Sequence, residues 1–97
     1  MAYVSKFQSE ENDALFRAIL SLKNEEECYR FFEDLTTIKE LLAMSQRWKV
    51  AQMLNEGKTY QEIASETTAS AATISRVNKC LLYGADGYRT VLKRLKP

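Results

Sequence analysis

The sequence predicts an all-α domain of six helices containing a helix-turn-helix, and three observations predict it. Chain breakers are few: one proline, at Pro97, and three glycines in 97 residues. Apolar residues recur at helical intervals along nearly the whole chain, and no run alternates as a half-buried strand does. Residues that cap helices stand where the periodic stretches begin, notably Asn24, Thr37, Thr59, Ser70 and Asp86.

Taken in order, the first helix is expected over Gln8 to Leu22, with Leu15, Phe16, Ile19, Leu20 and Leu22 as its apolar stripe. Asn24 opens a second helix, whose first turn holds Glu25, Glu26 and Glu27 against the positive end of the helix dipole. Its buried side would be Cys28, Phe31, Phe32 and Leu35. Thr37 and Glu40 have the Thr-x-x-Glu spacing of a capping box. They start a longer third helix through Leu41, Leu42, Met44, Trp48, Val50, Ala51 and Leu54, ended by Gly57 in a left-handed cap. Thr59 and Glu62 repeat the box at the head of a short fourth helix, with Ile63 and Ala64 turned inward. Ser70 caps a fifth, which stops at Gly84, and Asp86 caps a sixth that carries Tyr88, Val91, Leu92 and Leu95.

The chain reads as a single helical domain over 1–97: core and dimerisation helices over 1–56, the helix-turn-helix over 57–83, a C-terminal helix over 84–97. Apolar residues at 45% and charged residues at 28% suit a soluble globular domain. So short a chain buries a modest share of its surface alone, which favours a dimer. No apolar run is long enough to span a membrane, and the polar start lacks a signal-peptide core, so a cytoplasmic protein is expected. Histidine is absent, and the two cysteines, Cys28 and Cys80, lie far apart. No metal site, cofactor or disulfide framework is therefore expected, and both thiols should be reduced and buried or half-buried. Without histidine, a phosphate loop or a metal cluster, no catalytic residues can be named and an enzyme is not expected.

Charge is divided unevenly. Residues 1–40 carry five basic and nine acidic side chains, whereas residues 41–97 carry nine basic and four acidic. The C-terminal half is thus the one that would face a polyanion.

Between Gly57 and Leu82 the spacing matches a helix-turn-helix. It has a small residue, Ala64, for the helix crossing, a tight turn at Thr67–Ala69, and the cap Ser70. At about 100° per residue, Ile74, Val77 and Leu81 share one side of the fifth helix. Ala72, Ser75, Arg76 and Lys79 lie opposite, flanked by Ala71 and Thr73. Small side chains let a helix tip approach base edges in the major groove of double-stranded DNA, and Arg and Lys reach phosphates or guanine.

Two stretches, Tyr60-Gln-Glu-Ile-Ala-Ser-Glu and Ser70-Ala-Ala-Thr-Ile-Ser-Arg-Val, resemble the helix-turn-helix of the Trp-repressor superfamily. The wider pattern is similar to its YerC/YecD-type branch: Glu27-Cys-Tyr-Arg-Phe-Phe-Glu-Asp-Leu, Ser45-Gln-Arg, Leu54-Asn-Glu-Gly and Leu82-Tyr-Gly-Ala-Asp. The resemblance covers about Leu15 to Leu95. It implies an intertwined homodimer that presents two recognition helices to a palindromic operator, as a repressor. It also implies that Ala71, Ala72 and Ser75, near the helix tip at Ser70, contact bases, and that Thr73 and Arg76 lie near phosphates. Face and charge add Gln61 and Lys79. Many such units have Gly in the turn where this chain has Thr68, and a β-branched residue tolerates positive φ poorly, so the sequence leaves the turn geometry at Thr68, and with it the angle between the helices, open. A non-enzymatic helical dimer whose helix-turn-helix contacts protein is the alternative reading of the same residues.

By the same resemblance, indole in the Trp repressor lies between two arginines, matched here by Arg47 and Arg76, with Thr37 at the pocket edge. The glycine that makes room for indole is Val77 here, and a serine that binds the ligand's amino group is Cys80, a weaker hydrogen-bonding group. Thr37, Arg47, Arg76 and Cys80 could thus line an effector pocket, but tryptophan is not the expected effector.

Overall fold

The computed structural model describes residues 3–96, and its described residues form six α-helices and no strand. These are α1 (Glu10–Leu20), α2 (Glu25–Leu35), α3 (Ile38–Asn55), α4 (Tyr60–Thr67), α5 (Ala71–Tyr83) and α6 (Gly87–Leu95). The chain divides into two compact units, Met1–Thr37 and Ile38–Pro97.

In the first unit both helices open on side-chain caps. Ser9 Oγ accepts the Asn12 N–H at 3.0 Å and Asn24 Oδ1 accepts the Glu27 N–H at 2.9 Å. The Glu27 carboxylate reaches back to the Lys23 N–H at 2.8 Å. Each cap satisfies a donor that the first turn leaves without an intrahelical partner. The first helix is two residues shorter at each end than its periodicity suggested, because Ser9 caps it and Ser21 ends it. α2 departs further from expectation. Phe31 and Phe32 meet edge to face at 5.7 Å but are only half-buried, Leu35 is 49% exposed, and Cys28 is exposed. Two short helices cannot enclose a side chain on all sides, so α1 and α2 contain no fully buried residue.

The second unit holds the core: Val50, Ala51 and Met53 of α3, Ile63 of α4, Ala69 of the following turn, and Ile74, Val77 and Leu81 of α5. Trp48, Leu54 and Tyr88 pack around it, with the Trp48 and Tyr88 rings stacked 6.3 Å apart. The outer residues of the expected stripes, Leu42, Val91 and Leu95, are exposed. α3 ends in a Schellman motif: Gly57, at φ +84°, donates to Leu54 O at 3.0 Å, and Lys58 donates to Met53 O at 3.0 Å. Gly84 ends α5, and a Cβ there would run into the Cys80 carbonyl oxygen. Asp86 stands at the N-cap position of α6 but does not cap it, because at φ 65° its side chain makes no bond to the first turn. α6 is tied to α5 instead by Arg89 Nε, which donates to Leu81 O at 2.8 Å.

Candidate nucleic-acid interface

α4 starts with the capping box its sequence announces. Thr59 Oγ1 accepts the Glu62 N–H at 3.1 Å, and the Glu62 carboxylate accepts the Thr59 N–H at 3.0 Å. Those bonds from Thr59, aided by Lys58, hold the Glu62 carboxyl below its ordinary pKa. α4 buries Ile63 but leaves Ala64 exposed, which corrects the placement of Ala64 at the helix crossing. The small residue enclosed between the helices is Ala69, 5% exposed, contributed by the turn itself.

The turn keeps a left-handed residue although no glycine is present: Thr68 sits at φ 59°, ψ 12°. The turn geometry that the sequence left open is thus the left-handed one, in spite of the β-branched side chain. Local hydrogen bonds hold the strained residue, with the Thr68 N–H donating to Ala64 O at 3.1 Å and the Thr68 hydroxyl to Thr67 O at 2.6 Å. Thr68→Gly should therefore stabilise the protein by about 0.5–1 kcal/mol, since the relief of left-handed strain exceeds the added chain entropy. Urea unfolding of the two proteins checks this, and a lower midpoint for the glycine variant would show that the hydroxyl outweighs the strain.

Ser70 caps α5, its Oγ accepting the Thr73 N–H at 3.1 Å and bonding the Thr73 hydroxyl at 3.1 Å. Ile74 and Val77, each 1% exposed, and Leu81 anchor the helix. Ser70, Ala71, Ala72, Ser75, Arg76 and Lys79 are all exposed on α5 and its cap, Thr73 is half-buried, and Gln61 is exposed on α4. Among the described residues neither Arg76 nor Lys79 enters an ion pair. The arrangement is a helix with an apolar keel, a small neutral tip and two exposed cations, Arg76 and Lys79, about one and two turns further on.

Of the suggested effector-pocket residues, Arg47 is half-buried on α3, whereas Arg76 and Cys80 are exposed on α5 and Thr37 is exposed at the end of the first unit. Cys80 is not a core thiol, because it lies one step off the Ile74–Val77–Leu81 stripe. Val77 belongs to the core cluster with Val50 and Ile74, so its isopropyl group occupies packed space. A contact that sequence reasoning missed is Gln46 Nε2 donating to Thr67 O at 3.1 Å, across 21 residues. Nothing in a helical pattern marks which polar residue of α3 meets that carbonyl.

Comparison with known proteins agrees with this architecture. A family model described as Trp repressor protein matches residues 10–96. The uncharacterized protein YerC of Bacillus subtilis strain 168 is 56% identical over 93 residues, which cover 96% of this chain and 89% of YerC. The crystal structure of a TrpR-like protein from Eubacterium eligens superposes with a TM-score of 0.89 at 56% identity, covering 93% of each chain. A structure from Staphylococcus aureus named for the Trp repressor also gives 0.89, at 49% identity, covering 93% of this chain and 90% of that one. A family match over nearly the whole chain, on six helices of the same arrangement, places this protein in the Trp repressor family.

Proposed function

We propose that this chain is a non-enzymatic transcriptional regulator, a repressor, that works as a homodimer and reads a palindromic DNA operator with α5. The outer face of α5 carries the reading. Ala71, Ala72 and Ser75 leave the helix tip free to enter a major groove and approach base edges. Thr73, Arg76 and Lys79 are placed for the flanking phosphates, and Gln61 on α4 and the Ser70 cap complete the contact set. Membership of the Trp repressor family supports the same reading.

A homodimer is supported by what the two units leave uncovered. The first unit has no buried residue in its helices and exposes Phe16 and Leu20, the latter to 82%. The second exposes Ile38, Leu42 and Leu95. Apolar side chains in that number are a surface that another copy would cover.

The test is binding of purified protein to sheared genomic DNA over a salt series. Enriched fragments that share a palindrome, with affinity falling steeply as salt rises, are expected, because phosphate contacts release counterions. Weak binding that ignores both sequence and salt would move the assignment to a protein-interaction module.

Tryptophan is not the effector in this reading, since Val77 fills the space where indole would need a glycine. Calorimetric titration with tryptophan should show no saturable heat. Micromolar binding would overturn that expectation.

A further inference from the structure

The turn that aims α5 is held almost entirely by bonds within itself. The Thr67 hydroxyl donates to Ile63 O at 2.7 Å and accepts the Ala69 N–H at 3.1 Å, and the Thr68 hydroxyl donates to Thr67 O. All of these partners lie within four residues, so they shape the turn without relating it to the rest of the unit. Gln46 is different. It stands half-buried on α3, and its amide donates to Thr67 O from outside the helix-turn-helix.

That carbonyl ends α4 and has no partner within the helix. It also precedes the strained Thr68 and lies three residues ahead of the α5 cap. Packing of Val50, Met53, Ile63 and Ile74 brings α3, α4 and α5 together, but apolar burial is non-directional. A hydrogen bond weakens steeply as its angle departs from linear, so a single well-placed one restrains orientation where packing permits rocking.

We propose that Gln46 is a positioning residue for DNA reading. Its amide latches the α4–α5 turn to α3 and thereby sets the angle at which Ala71, Ala72 and Ser75 meet a groove. This rests on the assignment of α5 as the recognition helix. The latch governs discrimination between sequences, not attraction to duplex as such, because Gln46 bears no charge and Arg76 and Lys79 remain exposed without it.

Two full-length variants test it. Gln46→Leu keeps the side-chain bulk and removes the donor. Selectivity, the ratio of affinities for an enriched fragment and for bulk DNA, should fall about three- to tenfold, the size expected of one net hydrogen bond. Bulk affinity and salt slope should not change, and the backbone amide resonances of Thr68 to Ala72 should shift in the free protein. Gln46→Glu turns a carboxylate toward the same carbonyl, and that group can donate only when protonated. Its selectivity should be lower still at about pH 8 and recover toward about pH 5, because half-burial beside a carbonyl oxygen disfavours the carboxylate and raises that carboxyl above its ordinary value of about 4.3. Wild type and Gln46→Leu should stay flat over that range, since the chain has no histidine to titrate there. Unchanged selectivity in Gln46→Leu, unmoved turn resonances, or a flat profile in Gln46→Glu would each overturn the latch. If wild type itself prefers no fragment, the reading of α5 fails, and the latch fails with it.

Discussion

Arg76→Ala should weaken operator binding about 10- to 100-fold and leave the thermal midpoint unchanged. Arg76 is exposed on the outer face of α5 and has no ion-pair partner among the described residues. Removing it takes nothing from the core, and surface substitutions of that kind stay within about 0.5 kcal/mol of neutral. The loss is therefore one of contact, and its pattern identifies the contact. A phosphate ligand weakens all sequences alike and reduces the slope of log affinity against log salt by about one per site. A guanine ligand weakens the operator selectively and relaxes the preference at one base pair. Placement one turn beyond the small tip favours the phosphate. Fluorescence anisotropy on operator and scrambled duplexes over a salt series separates the two, and wild-type affinity in the variant would remove Arg76 from the interface.

Ile74→Ala should cost about 2–5 kcal/mol, the largest single loss of stability expected for an α5 substitution. Ile74 is 1% exposed and packs with Val50, Ala51, Met53, Ile63, Ala69 and Val77. Truncation removes apolar transfer energy and leaves a cavity that three helices and a tight turn cannot close by small shifts. Domains of this size unfold with about 5–15 kcal/mol, so the loss is a large fraction of the whole. The midpoint should drop by roughly 10–30 °C. A drop of only a degree or two by calorimetry would mean that Ile74 is not the keel of the helix. DNA binding at low temperature, where the variant is still folded, should be reduced far less than in Arg76→Ala.

The elements were legible in the chain because capping and periodicity are local. Asn24, Thr59 with Glu62, Gly57 and Ser70 act within three or four residues of themselves, and each makes the bonds its spacing announces. The α5 stripe was legible for the same reason, since 3.6 residues per turn brings Ile74, Val77 and Leu81 to one side regardless of context. Burial was less so. Ala64 and Cys28 looked inward by spacing and are exposed, because periodicity marks the apolar side of a helix but not what lies against it. Asp86 shows the limit even for caps: the residue type was right, but its backbone at φ 65° turns the side chain away.

What the sequence determined by itself was therefore the number and order of the helices, most of their caps, and the division of α5 into an apolar and a basic face. Family membership was also written there, in matches spread along most of the chain. Only the tertiary structure decided that Ala69 is the residue enclosed at the helix-turn-helix crossing, that Thr68 bears the left-handed turn, and that Gln46 meets the Thr67 carbonyl. The first group follows from forces acting within about a turn of helix. The second depends on residues up to 21 positions apart being brought together, and no local pattern records which pairs will meet.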